Sequence, residues 1–128
     1  ADATVGPMIE SLTDSTTNEK NLHITPNAPA IIFGSTLLIK GDDPSVGIYF
    51  TKDEEGATPV KVSLIVRNTK SEIIIQIPQL AEGQYWLSVT TQAGANYGLV
   101  KDPRTYKFPI LLTVGIGGGG DSESPDEI

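Results

Sequence analysis

Cysteine is absent from this sequence, histidine and tryptophan occur once each, and aromatic residues make up 6% of its 128 positions. The first absence excludes disulfides and every metal site built on thiolates. A chain of this length still buries roughly two-thirds of the surface its unfolded form exposes, enough for one core without staples. Long apolar runs are missing as well. None approaches the ~18 residues of a membrane-crossing helix, and the start ADATVGPMIE lacks a basic segment followed by an apolar one. A first residue of Ala1 fits a mature form or an excised piece, and the lack of cysteine suits either side of a bacterial membrane. Basic charge is also scarce. Nine Lys and Arg face sixteen Asp and Glu, for a net charge of -7, which opposes direct binding to nucleic acid by counterion release. Asp121, Glu123, Asp126 and Glu127 carry -4 of that -7 in the final segment DSESPDEI, leaving -3 on residues 1–120.

The same scarcity argues against catalysis. His23 is the sole imidazole, flanked by Leu22 and Ile24 on what reads as a strand margin, and no Gly-x-Ser-x-Gly turn presents a nucleophile to it. Carboxylates cluster at Asp42-Asp43 and Asp53-Glu54-Glu55, where a glycosidase pair or loop calcium ligands could be sought. Both clusters sit in turns bearing Gly or Pro, where acidic residues serve local hydrogen bonding, and neither has the order of an EF-hand loop. The glycine run at 117–120 is not a phosphate loop, because no Lys and no helix follow it. The expectation is a non-enzyme with no cofactor and no metal.

What is abundant is alternation. Val60, Val62, Leu64 and Val66 share one face of a segment at period two, as do Ile73, Ile75 and Ile77 over 72–77, and Tyr85, Leu87, Val89 and Thr91 over 84–92. Residues 36–40 and 46–50 read as short neighbouring strands around the turn Gly41-Asp42-Asp43-Pro44. A last long strand is expected over 104–114, with Tyr106, Phe108, Ile110, Leu112 and Val114 on one face and Pro109 demanding an edge or a bulge. Residues 8–12 and 21–25 are weaker strands, and no window carries a helical stripe.

Seven to eight short strands, with turn signals at intervals of roughly ten residues, predict an all-β, antiparallel, Greek-key sandwich of Ig-like architecture. Leu80, Gly83 and Tyr85 have the spacing of a tyrosine corner, which assigns 72–77, 84–92 and 104–114 to strands E, F and G. The domain is expected over 6–115, after a linker at 1–5. A disordered, Gly-rich acidic tail is expected over 116–128, because such a composition cannot offset its ordering entropy.

Two surface features stand out. Lys101, Arg104 and Lys107, interleaved with Tyr97 and Tyr106, form the one local excess of cations, readable as an interaction patch or as protection of an edge strand. Trp86 falls on the outer side of its strand, where an indole could serve as a ligand platform.

The series Gly6-Pro7-x-Ile9-x-Ser11-Leu12-Thr13-Asp14, then GDDPSVGIYF over 41–50, NTKSEIIIQIP over 68–78, Leu80-x-x-Gly83-x-Tyr85, Thr90-Thr91-Gln92 and Lys101-Asp102-Pro103-Arg104-Thr105, resembles a known family. It is the Ig-like domain of unknown function found C-terminal to HU-like DNA-binding domains in gut-dwelling bacteria, matched over roughly 6–115. The resemblance implies no reaction and no site residues. It implies an accessory module, cytoplasmic and nucleoid-associated, that mediates protein contact or self-association, with nucleic acid held only by an HU-like half absent from this sequence. The alternative is a stand-alone carbohydrate- or surface-binding sandwich of the bacterial envelope, using Trp86, Tyr97 and loop carboxylates; a membrane or small-molecule partner is not expected.

Overall fold

A computed structural model describes residues 7–93 and 99–115. Its strands are β1 (Met8–Asp14), β2 (Pro29–Ser35), β3 (Gly47–Lys52), β4 (Val60–Lys61), β5 (Ile65–Asn68), β6 (Glu72–Gln76), β7 (Gly83–Ala93), β8 (Leu99–Lys107) and β9 (Leu112–Val114). One antiparallel sheet runs β1-β2-β6-β5 and the other β4-β3-β7-β8, with β9 also on β7. These are the ABED and C′CFG orders of an Ig-like sandwich. No helix occurs among the described residues.

The two inner faces make one core. β2 and β6 contribute Ala30, Ile32, Ile73 and Ile75; β3 and β7 contribute Ile48, Phe50, Tyr85, Leu87 and Val89. Strict period-two alternation in β6 and β7 puts every second residue inside, as the burial of Ile73, Ile75, Tyr85, Leu87, Val89 and Thr91 records. At the crossover into β7 the Tyr85 hydroxyl donates to the Ala81 carbonyl at 2.8 Å beside buried Leu80. That bond fixes where β7 begins.

Four segments differ from the strands read off the sequence. Residues 60–66 are not one strand. The Val62 amide still donates to Ile48 of β3, but Gln76 of β6 donates to the Leu64 carbonyl, so the chain changes sheets between them. Val62 stays in the core while Leu64 and Val66 are exposed, because alternation is measured against one sheet and this segment belongs to two. Residues 36–40 form no strand either. Thr36 takes φ 51, and the stretch then crosses the open side of the sandwich, held by Leu37 N to Lys70 O, reciprocal bonds between Ile39 and the Asn68 amide, and the Thr91 hydroxyl to Leu38 O. The strand lies just before, at Pro29–Ser35, where Pro29 and Gly34 read as turn residues.

Residues 21–25 contribute a bridge instead of a strand. His23 pairs in parallel with Thr113, with Ile24 N donating to Thr113 O and Thr113 N to Leu22 O, so this segment covers the outer edge of β9. Asp14 anchors it. The fully buried Asp14 carboxylate accepts from the Thr25 and Thr17 hydroxyls and the Thr16 amide. The last strand, expected over 104–114, starts at Leu99 and is broken between Lys107 and Leu112, where Pro109 has no N–H to continue the ladder. Phe108, Leu112 and Val114 reach the core; Ile110, in the break, is exposed. The acidic tail lies outside the described residues.

Candidate interaction surfaces

Directly opposed residues of antiparallel strands project to the same side, so the register decides which surface each side chain serves. On β7 and β8 the pairs are Ser88 with Lys107, Val89 with Tyr106, Thr90 with Thr105, and Thr91 with Arg104. Val89 and Thr91 face inward. Tyr106 therefore packs against the core, and Arg104 sits at the rim of the sandwich interior, its Nη2 donating to the Ala93 carbonyl at 3.5 Å and its Nε without a partner among the described residues. Lys107 is on the other side. The sequence spacing that grouped Arg104, Tyr106 and Lys107 thus spans both faces of one strand. Lys101 is exposed further along β8, its carbonyl accepting from Gln92, and Tyr97 lies outside the described residues.

Lys107 instead joins Trp86. Its ammonium stands 4.3 Å from the indole centroid, and the indole Nε1 donates to Asp53 Oδ1 at 3.0 Å. One ring face and the polar edge of Trp86 are therefore already engaged, which leaves less of it for stacking on a sugar. A second pair lies across the sheet, where Lys61 Nζ is 6.0 Å from the Tyr49 ring centroid. Gly47 makes that possible. A Cβ there would come within 2.6 Å of Lys61 Cε, so the lysine stem crosses the sheet where only glycine leaves room. Register links the two pairs, because Lys61 opposes Tyr49, Tyr49 opposes Ser88, and Ser88 opposes Lys107. A cation, an aromatic ring, a hydroxyl and a second cation cross the outer face of the β4-β3-β7-β8 sheet in one row.

The other sheet presents a different outer face. Ile31 opposes Ile74, Phe33 opposes Glu72, and Met8 opposes Ser35, all projecting away from the core. Met8 and Phe33 are exposed, Ile31 and Ile74 half-buried, and Leu64 before β5 and Val66 on it are exposed apolar residues. Arg67 Nε and Glu72 Oε1, 3.0 Å apart, pair at its margin. Alternation over 72–77 puts Ile74 on the face opposite Ile73, Ile75 and Ile77, beside Glu72 and Gln76. The neighbour of Ile74, Ile31, belongs to a strand that was hidden by Pro29 and Gly34.

Asp43, Asp53 and Glu54 of the two carboxylate clusters have local partners. Asp43 accepts from the Ser45 amide at 2.9 Å and the Ser45 hydroxyl at 2.7 Å, which holds its carboxyl below the usual value. Asp53 serves Trp86, Glu54 lies 3.7 Å from Lys52, and Glu19 holds His23 Nδ1 at 2.6 Å. Among the described residues no three His, Asp or Glu side chains converge on a metal position, and no helix is long and apolar enough to cross a membrane.

With this geometry in hand, comparison with known proteins is informative. The family model described as a domain of unknown function (DUF4469) with an Ig-like fold matches residues 8–106. A crystal structure described as a "putative bacterial DNA binding protein", from Bacteroides vulgatus, superposes with a TM-score of 0.76 at 35% identity, over 84% of this chain and 46% of that one. The present chain thus spans about half the length of that relative. No curated protein matches.

Proposed function

We propose, from the premise that this chain belongs to the DUF4469 family of Ig-like domains, that it is a non-enzymatic accessory module of a longer DNA-associated protein. Its role in that setting is self-association through the apolar outer face of the β1-β2-β6-β5 sheet. In this reading DNA is held by another part of the longer protein, an HU-like half N-terminal to this domain, and the whole works in the cytoplasm at the nucleoid. The relative described as DNA binding supports the setting, since more than half of it lies outside the match. The charge of the present chain supports the division of labour, since -7 overall suits it poorly to phosphate.

The observation that carries the contact is Ile31, Phe33 and Ile74 side by side on an outward sheet face. With exposed Met8 beside them on the same sheet, they form contiguous outward apolar surface, the kind that protein interfaces use when it is extensive. A second copy is the occupant that fits its margin. The face carries both Arg67 and Glu72, so a two-fold arrangement sets the arginine of each copy against the glutamate of the other. Sedimentation velocity over a concentration series tests this: the native chain should form dimers that Phe33→Glu and Ile74→Glu each abolish. A native chain that stays monomeric at the highest concentration overturns the reading. Retardation of duplex DNA by this domain alone would overturn the division of labour.

A further inference from the structure

The outer face of the β4-β3-β7-β8 sheet plays no part in that reading, yet it is the more elaborately built of the two. Lys61 and Lys107 lie on Tyr49 and Trp86, and neither ammonium has an ion-pair partner among the described residues. Their row contains no carboxylate. Asp53 approaches only from the margin, where its oxygen already accepts from the indole. Cations held over aromatic rings with their outer hemispheres free form a surface for an anion, and their spacing defines an extended one. The row crosses β4, β3, β7 and β8, three inter-strand gaps, or about 14 Å at ~4.8 Å each.

The same chain supplies a segment of matching charge and length. β9 ends opposite Gly83, at the end of β7 that also carries Trp86. Gly115 follows with φ 64, a left-handed conformation that turns the backbone out of the strand direction. After it come the uncharged residues IGGGG at 116–120, and then Asp121, Glu123, Asp126 and Glu127. From Gly83 to Ser88, beside Lys107, is about 17 Å along β7 at ~3.3 Å per residue. Five residues reach at most about 17 Å. Asp121 can therefore arrive at Trp86 and Lys107, and the residues from Asp121 to Glu127 can cover the remaining distance to Lys61.

We propose that the acidic segment 121–127 docks in cis on this face, its carboxylates meeting Lys107 and Lys61 across Trp86 and Tyr49. A short tether keeps its local concentration in the millimolar range, so that individually weak contacts are occupied without a high intrinsic affinity. The contacts are between solvent-accessible charges, so salt releases the segment: the screening length falls from about 10 Å at 0.1 M to about 3 Å at 1 M. Occupied, the face is withheld from other acidic partners.

Trp86, the only tryptophan in the chain, reports on the centre of the face. Acrylamide quenching of its fluorescence in the full chain should strengthen about twofold between low salt and 1 M NaCl, over the range where screening shortens. The variant Asp121→Asn/Glu123→Gln/Asp126→Asn/Glu127→Gln should be quenched at the high-salt level in both buffers. Lys61→Gln, remote from the indole on β4, should move the native chain partway towards that variant. Quenching that ignores salt and is equal in native and tail-neutralised chains overturns the proposal. Salt-sensitive protection that grows with protein concentration also overturns it, since the segment would then lie on a second copy.

Discussion

The two outer faces of this sandwich share one core and one strand geometry, yet differ in kind. On the first sheet, outward positions in the middle strands hold Ile31, Phe33 and Ile74, with Glu72 opposite Phe33 and paired to Arg67 of the edge strand. On the second, the corresponding positions hold Tyr49, Trp86 and Ser88, with Lys61 and Lys107 laid across them. In the proposed dimer, removal of water drives contact on the first face and is nearly indifferent to salt. On the second, lysine ammonium groups lie over the aromatic rings, so the proposed contact there is with anions and is salt-sensitive. The two proposals therefore place their contacts on opposite faces of one fold.

The comparison is broken most severely by disturbing what the faces share. Ile75 is fully buried, so Ile75→Ala should cost about 2–5 kcal/mol and weaken both faces together, as denaturant unfolding would show. Its neighbour Ile74 points the other way. Ile74→Ala should cost about 1 kcal/mol or less in the monomer while still weakening self-association in sedimentation, and equal stability losses at the two positions would deny the outward placement. Loss of the Tyr85 hydroxyl in Tyr85→Phe should cost about 0.5–1.5 kcal/mol, by removing the bond to Ala81 at the start of β7.

Smaller effects sharpen the second face. Lys107→Gln should lower stability by about 0.5–1 kcal/mol and change the emission of Trp86, whereas Lys61→Gln, whose ammonium is farther from its ring at 6.0 Å, should have less effect on stability. The smallest concerns Asp43, on the loop entering β3. Its carboxyl is held below 3.8 by the Ser45 amide and hydroxyl, so this exposed cap contributes above that value and is lost as pH falls through the lower, folded midpoint. Carboxyl titration by NMR should place the midpoint below 3.8, and Ser45→Ala should raise it.

Local pattern carried much of the architecture. β6 and β7 were legible because each stays in one sheet throughout, so that alternation maps directly onto inside and outside. β2 was not, because Pro29 and Gly34 carry turn propensity that the pairings with β1 and β6 override. The surfaces were harder still. Arg104, Tyr106 and Lys107 are close in sequence, but a strand sends odd and even positions to opposite sides, so the grouping dissolves once the register is known. The row from Lys61 to Lys107 draws one residue from each of four strands, and no linear spacing announces it.

By itself, then, the sequence determined that this chain is a cysteine-free, all-β Ig-like sandwich, since alternation, turn residues and the corner at Leu80, Gly83 and Tyr85 are local features a chain carries into any fold it makes. Only the tertiary structure decided that residues 60–66 divide between two sheets, that Ile31 meets Ile74, and that Lys107 covers Trp86. Each of these depends on which strands lie side by side and in what register. That choice is specified by which face of each strand the shared core buries, and no single segment contains it.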